Sequence, residues 1–371
     1  MSTAAADARV GTVFHSRYSI TRKIGSGGTS TVYLAKDAKG GRQVALKVLD
    51  RSVENDTASK RFLREIEVMR RLQHPNIVEV YEAGETAMGE LYISMEVLKG
   101  RTLAKQLRQH GPMEAERAIT IARQIVLALG AAHSQKILHR DLKPSNIRLV
   151  SKEGSRDFVK VLDFAIARFV EDDEHAQEEQ LTAVGKVVGT PAYMAPEQIA
   201  SKPLDGRCDL YAVGCLLYEM VTGRTPFVGR TFEIMRQHAF DRPPNPSAVT
   251  DRKIPSELQT LILKMLEKDP EDRPADAEAI AEILTQIDMN VSASNSQSFD
   301  PGLSFDGLGD RDDDTYIPDN AGSTGLEDDD PPTTSGGMAP ASMALAGFGT
   351  VFFIGAAGLV MVFVMALAFM G

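Results

Sequence analysis

Residues 137–150 read ILHRDLKPSNIRLV. Asp141 and Asn146 stand five apart in a loop, with Lys143 between them. Residues 159–168 read VKVLDFAIAR, which puts Asp163 at the end of an apolar strand. A carboxylate and an amide at these stations are what a magnesium–nucleotide site needs, because Mg²⁺ takes oxygen ligands and completes its shell with phosphate and water. Asp141 can accept a hydroxyl proton. Lys143 can neutralise a moving phosphoryl group.

Working back toward the N-terminus, 18–25 (YSITRKIG) reads as a strand and runs into GSGGTSTVYLAK. Gly25, Gly27 and Gly28 sit in a turn between two β-rich runs, where small residues let backbone N–H groups approach phosphates. Taken alone, such a turn is more often an ordinary hairpin. Next comes VALKVL, with Val44, Leu46 and Val48 alternating with Ala45, Lys47 and Leu49. A lysine in so apolar a strand is costly unless paired; taken alone, it reads as a snorkelling surface residue. Residues 58–72 (ASKRFLREIEVMRRL) have helical periodicity, with Phe62, Ile66 and Met69 as the inward stripe. Glu65 falls on that stripe and Glu67 off it. An acid on an inward face wants a buried cation, and Lys47 is the candidate.

The ordered set of Gly-rich loop, VALK, helical Glu, HRDLKPSN, DFA and APE resembles the protein-kinase signature set. The likeness covers residues 18–287. RFLREIEVMRRLQHPNIVEVYEAGE and GTPAYMAPEQ resemble the bacterial Hanks-type, or eukaryotic-like, Ser/Thr kinases. The resemblance implies an α+β, two-lobed fold with a small β-rich N-lobe and a larger helical C-lobe. It implies ATP and Mg²⁺ as cofactors, and proteins with Ser or Thr as substrates. Ile24, Gly25, Gly27, Gly28, Val32 and Ala45 would cover the nucleotide. Lys47 would hold its α- and β-phosphates and pair with Glu65. Met95 takes the gatekeeper position, and Glu96 to Leu98 the hinge that meets adenine. Asp141 is the implied catalytic base, with Lys143 beside it. Asn146 and Asp163 are the implied Mg²⁺ ligands. Glu197 should pair with Arg273, and Asp209 should anchor the catalytic loop. Lys143 and Thr190 point to Ser/Thr rather than Tyr specificity. Arg140 before Asp141 resembles kinases that need a phosphorylated loop, and Thr182 is placed like their activating threonine. Thr190 reads as a contact to the catalytic loop.

The chain departs from the family pattern at three positions. Ser30 replaces the third glycine of the phosphate loop. The metal-binding triplet ends in Ala165, whose Cβ narrows backbone freedom. Arg148 stands where relatives put an apolar residue under adenine; its guanidinium could stack on the base, or its stem could pack there. None removes a catalytic group. A pseudokinase acting as a membrane scaffold would have lost Lys47, Asp141, Asn146 or Asp163, and all four are present. A small-molecule kinase of the aminoglycoside or choline type would lack GTPAYMAPE.

The net charge of −10 is concentrated in one segment. Between Asp288 and Met338 stand twelve acids and one base, Arg311, so the rest of the chain is nearly neutral. No basic patch suggests nucleic-acid binding. Rich in Asp, Ser, Gly and Pro, 288–338 reads as a disordered acidic linker. Residues 1–17 read as an N-terminal arm and 339–371 as a tail anchor. Within that tail, 348–370 (FGTVFFIGAAGLVMVFVMALAFM) is long enough to span a bilayer as one transmembrane helix. The expected arrangement is a single-pass, tail-anchored protein with its large domain in the cytoplasm, on a bacterial inner membrane. The lipid bilayer is then a partner, and a dimer would serve trans-autophosphorylation. Cys208 and Cys215, seven apart on one expected helix, are too far apart to bridge and read as buried thiols.

Overall fold

A computed structural model of the chain describes residues 7–27, 30–52, 63, 66–67, 69–152, 154–164, 191–297 and 319–320. The chain divides into two units, 1–324 and 325–371, and every described residue lies in the first.

The N-terminal half is an antiparallel sheet. Its strands are β1 (Val13–Phe14), β2 (Tyr18–Gly27), β3 (Ser30–Asp37), β4 (Gln43–Ser52), β5 (Val80–Glu85) and β6 (Glu90–Met95), in the order β1-β2-β3-β4-β6-β5. The alternation of β4 sorts its side chains between two clusters, as a period of two requires. Val44, Leu46 and Val48 face Phe14, Tyr18, Tyr33 and Tyr92. Ala45 and Leu49 face the other way, toward Ile24, Val32, Ile66, Ile93, Met95 and Leu162. Lys47 shares the second face, so the strand's own pleat turns its ammonium inward.

Residues 7–17, set apart in the sequence as an arm, are built into this sheet. Phe14 is buried edge-on against Tyr92, their ring centroids 5.5 Å apart. Arg17 forks onto Asp37 at 2.7 and 2.9 Å and reaches Glu82 at 2.6 Å. Asp319–Asn320, a two-residue strand β10, runs parallel to Ser26–Gly27 of β2.

The C-terminal half is helical. It comprises α1 (Leu103–His110), α2 (Ala115–His133), α3 (Pro196–Ile199), α4 (Gly206–Thr222), α5 (Thr231–Phe240), α6 (Ser256–Met265) and α7 (Ala277–Gln297). Helix α4 is apolar on all sides and buried almost end to end, which places it at the centre of the core. Cys208 and Cys215 are buried free thiols on it. Gly223 ends the helix in the left-handed conformation (φ 81°), which favours a residue without a Cβ. Helix α7 runs through residues 288–297, past the expected start of the linker. In that stretch of the helix Ile287 is buried and Met289 is exposed. Among the described residues no helix is long and apolar enough to cross a membrane; residues 348–370 lie outside the described residues.

A small antiparallel sheet, β7 (Arg101–Thr102), β8 (Ile147–Lys152) and β9 (Ser155–Val161), decides where the site forms. Ile147 at the start of β8 is paired with Val161 at the end of β9. Asn146 precedes the first and Asp163 follows the second, so one hairpin carries both residues at the same end.

Candidate active site

Lys47 is 4% exposed, and its Nζ stands 2.7 Å from Asp163 Oδ1. A buried ammonium needs such a partner. Asp163 has φ 58°, sparsely populated for a residue with a side chain, so surrounding contacts must hold it there. The neighbours supply them. Leu162 N–H donates to the Asn146 carbonyl at 2.8 Å. The Leu162 carbonyl lies 2.8 Å from His139 Nε2, and Phe164 packs on the His139 ring at 4.7 Å.

In the loop before β8, Asp141 Oδ2 pairs with Lys143 Nζ at 2.9 Å. Asn146 Nδ2 donates to the Asp141 carbonyl at 2.7 Å. That leaves the Asn146 Oδ1 and Asp163 Oδ2 atoms without a hydrogen-bond partner among the described residues. One amide oxygen and one carboxylate oxygen are hard ligands that fit a Mg²⁺ ion sharing its shell with phosphate oxygens and water.

Asp209 fixes the loop from α4. Its Oδ1 accepts Arg140 N–H and its Oδ2 accepts His139 N–H, both at 2.8 Å, and His133 Nε2 adds a third contact at 2.8 Å. Arg140 is left-handed (φ 65°) at this point, and the two N–H bonds hold that turn. Burial alone would raise the Asp209 carboxyl pKa. The His133 hydrogen bond, the nearby histidines and the His139 N–H outweigh it and hold the carboxyl below its usual range. Glu197 and Arg273 form a buried two-pronged pair at 2.6 and 2.8 Å.

Ile24, Val32, Ala45, Met95 and Leu98 gather in one cluster with Leu162. Gly25 and Ser26 lie in β2 opposite Val32 and Thr31, and Gly27 ends that strand. Glu96 turns its carboxylate away from this cluster and accepts Lys160 Nζ at 2.6 Å and Glu79 N–H at 2.8 Å. Lys160 was not singled out in the sequence, although VKV carries the same signal, a lysine inside an apolar strand, that marked Lys47.

Arg148 stands opposite Lys160 on the neighbouring strand, a cross-strand pair of like charges. Each is drawn off to a different acceptor. Arg148 is 2% exposed and donates from Nη2 to the Gly100 carbonyl at 2.5 Å. Gly100 (φ 128°) lies so close to β8 that a Cβ would stand 2.1 Å from the Leu149 carbonyl oxygen. The two strands thus hold both ends of the segment 96–100.

On the other expected inward stripe, Ile66 and Met69 are buried, while Glu67 pairs outward with Arg70 at 2.8 Å. Gly28, Phe62, Glu65, Ala165, Thr182 and Thr190 lie outside the described residues.

A model of the protein kinase domain matches residues 18–285. The chain belongs to the protein kinase family. Serine/threonine-protein kinase pkn3 of Myxococcus xanthus is 38% identical over 291 residues, 78% of this chain and 53% of that protein. Serine/threonine-protein kinase PknE of Mycobacterium tuberculosis is 40% identical over 269 residues, 72% of this chain and 45% of that protein. The chain therefore spans about half the length of the curated relatives it matches. The crystal structure of the Mycobacterium tuberculosis PknI kinase domain superposes with a TM-score of 0.58 at 26% identity, covering 77% of this chain and 99% of that one. The two-lobed kinase architecture is shared with these bacterial proteins.

Proposed function

We propose that the chain is a Mg-ATP-dependent protein Ser/Thr kinase tethered to the cytoplasmic face of a membrane. The observation that carries the catalytic part is the constellation itself: Lys47 on Asp163 at 2.7 Å, and Asn146 bonded to the loop of Asp141 and Lys143. A bound Mg²⁺ would supply charge neutralisation between the phosphates, and Asn146 and Asp163 would hold it. Lys47 orients the α- and β-phosphates. Asp141 receives the proton of the acceptor hydroxyl. Lys143 faces the negative charge that moves with the γ-phosphoryl group. Ile24, Val32, Ala45, Met95 and Leu98 form the apolar enclosure for the base, with the Glu96 and Leu98 backbone at its edge. Nucleotide titration followed by tryptic protection of the N-lobe tests this binding mode. Protection by Mg-ATP that survives in Lys47→Ala would count against it.

The membrane part rests on residues 348–370 and on the acidic stretch before them. A self-repelling linker acts as an extended tether. Because α7 continues to Gln297, the informative truncation falls after that residue. A chain ending at Gln297 should be recovered in the soluble fraction with its activity intact. Its recovery with membranes would contradict a single C-terminal anchor.

Activation is proposed to run through Thr182, phosphorylated by a second copy of the chain. A phosphate there adds about −1.5 to −2 charge, an anion that Arg140 would take up. Mass spectrometry after incubation with ATP should find phosphate on Thr182, and Thr182→Ala should lower turnover several-fold. Full activity in that variant would mean that the acids of EDDEHAQEEQ (171–180) suffice.

A further inference from the structure

Strand β2 carries Gly25 and Gly27, and most of its outer edge is open. β1 pairs only with Tyr18 and Ser19. Gly11 N–H then donates to the Ile20 carbonyl at 3.0 Å, and Ile20 N–H to the Thr12 carbonyl at 2.9 Å. Beyond Ile20, among the described residues, that edge meets one strand, Asp319–Asn320 of β10, in register with Ser26 and Gly27. β3 already holds the inner edge there, with Gly25 opposite Val32 and Ser26 opposite Thr31, so β10 takes the outer one. An uncovered edge is a template for a further strand, because its N–H and C=O groups lack ladder partners.

The sequence around β10 accounts for its place and its shortness. Pro318 stands immediately before it, a residue suited to the start of a strand but with no N–H to extend the ladder. Gly322 follows two residues after it and weakens any continuation. Charge favours the match. Arg22 and Lys23 are exposed on β2, while residues 288–338 hold twelve acids and one base. Lys23 reaches Asp7 only at 3.6 Å, a loose ion pair. A two-residue pairing is weak between separate molecules. Carried on the same chain, the segment meets the edge at an effective concentration on the order of millimolar, and the contact stays reversible.

We propose that the outer edge of β2 is a docking edge for the chain's own acidic segment, and that Asp319–Asn320 seated there lowers the affinity of the phosphate loop for nucleotide. The proposal rests on the kinase reading given above, in which this loop binds the phosphates. Ser26 and Gly27 lead into the turn that must settle onto those phosphates, and β10 fixes their backbone. The segment it belongs to carries the same sign of charge as the phosphates, so the two disfavour each other. Docked and nucleotide-bound forms therefore compete. A segment docked in about two-thirds of the molecules raises the apparent Kd about threefold. Saturating Mg-ATP displaces it and leaves turnover unchanged.

The test compares the full chain with its double variant Asp319→Pro, Asn320→Pro. The two prolines remove both N–H groups of β10 and touch nothing in the catalytic constellation. Amide hydrogen exchange is read on the peptide covering residues 18–27. Affinity is read as displacement of a fluorescent ATP analogue by Mg-ATP, which needs no phosphoryl transfer. Wild type should exchange more slowly at Ser26 and Gly27 and bind Mg-ATP about threefold more weakly than the variant. Equal affinity, or tighter binding by wild type, overturns the proposal whatever the exchange shows. Unequal affinity with equal exchange puts the effect away from this edge and overturns it too. Binding at equal strength leaves the kinase reading standing; no nucleotide binding by either protein overturns that reading and the docking edge with it.

Discussion

Asp163→Asn should leave a folded protein whose phosphoryl transfer is reduced on the order of 10²–10³-fold, the loss typical when one preorganised electrostatic group is removed from an active site. The substitution removes the proposed charged ligand for Mg²⁺ and changes the partner of Lys47 from carboxylate to amide. The amide oxygen can still accept the Lys47 hydrogen bond at the same place. The stability cost is therefore that of a weakened buried pair, about 1–3 kcal/mol, within a domain stability of about 5–15 kcal/mol. Lys47→Ala should lose transfer to a similar degree. Steady-state phosphorylation with Mg-ATP, alongside circular dichroism to verify folding, checks both. Near wild-type turnover in either variant would remove the corresponding residue from the site.

Arg273→Ala should be the most destabilising single change in the C-terminal half, by about 3–5 kcal/mol, as expected when one member of a buried ion pair is removed. Arg273 uses all five N–H donors: two on Glu197, and one each on the Glu267, Arg207 and Lys268 carbonyls. Its guanidinium also lies 4.8 Å from the Tyr211 ring centroid. Truncation leaves a buried carboxylate without a cation and three carbonyls without that donor. Arg273→Lys keeps the charge but cannot reproduce the fork, so it should fall between wild type and alanine. The denaturation midpoint of the chain ending at Gln297 reads this directly. A midpoint unchanged in Arg273→Ala would mean the pair is not holding α3 to the core.

The parts of the site legible in the sequence are those where side-chain chemistry conflicts with its surroundings. Lys47 stood out because an ammonium does not belong in VALKVL without a counter-charge, and the alternation of β4 turns it toward Asp163. Asn146 and Asp163 were legible because each sits where an apolar strand begins or ends, and one hairpin then brings those ends together. Contacts to backbone atoms left no such mark. Arg148 ends on the Gly100 carbonyl, whose position depends on a glycine at φ 128° pressed against β8, and residue spacing does not report carbonyl positions. The Lys160–Glu96 pair joins residues 64 apart, and neither partner's local pattern names the other. Residues 7–17 were set aside because a two-residue strand is too short to show a period, although Phe14 and Arg17 hold it to the sheet. The last turns of α7 were read as linker because residues 290–297 (NVSASNSQ) carry almost no apolar signal.

The central claim is that these residues transfer the γ-phosphoryl group of ATP to a protein hydroxyl. The most direct measurement incubates the full chain with γ-labelled ATP, Mg²⁺ and a general protein substrate, followed by phosphoamino-acid analysis. Phosphoserine and phosphothreonine should appear with wild type, depend on Mg²⁺, and be lost in Asp163→Asn. Nucleotide binding without any labelled hydroxyl amino acid, from protein recovered folded and freshly supplied with Mg²⁺, would contradict the claim and leave a scaffold as the function of the fold.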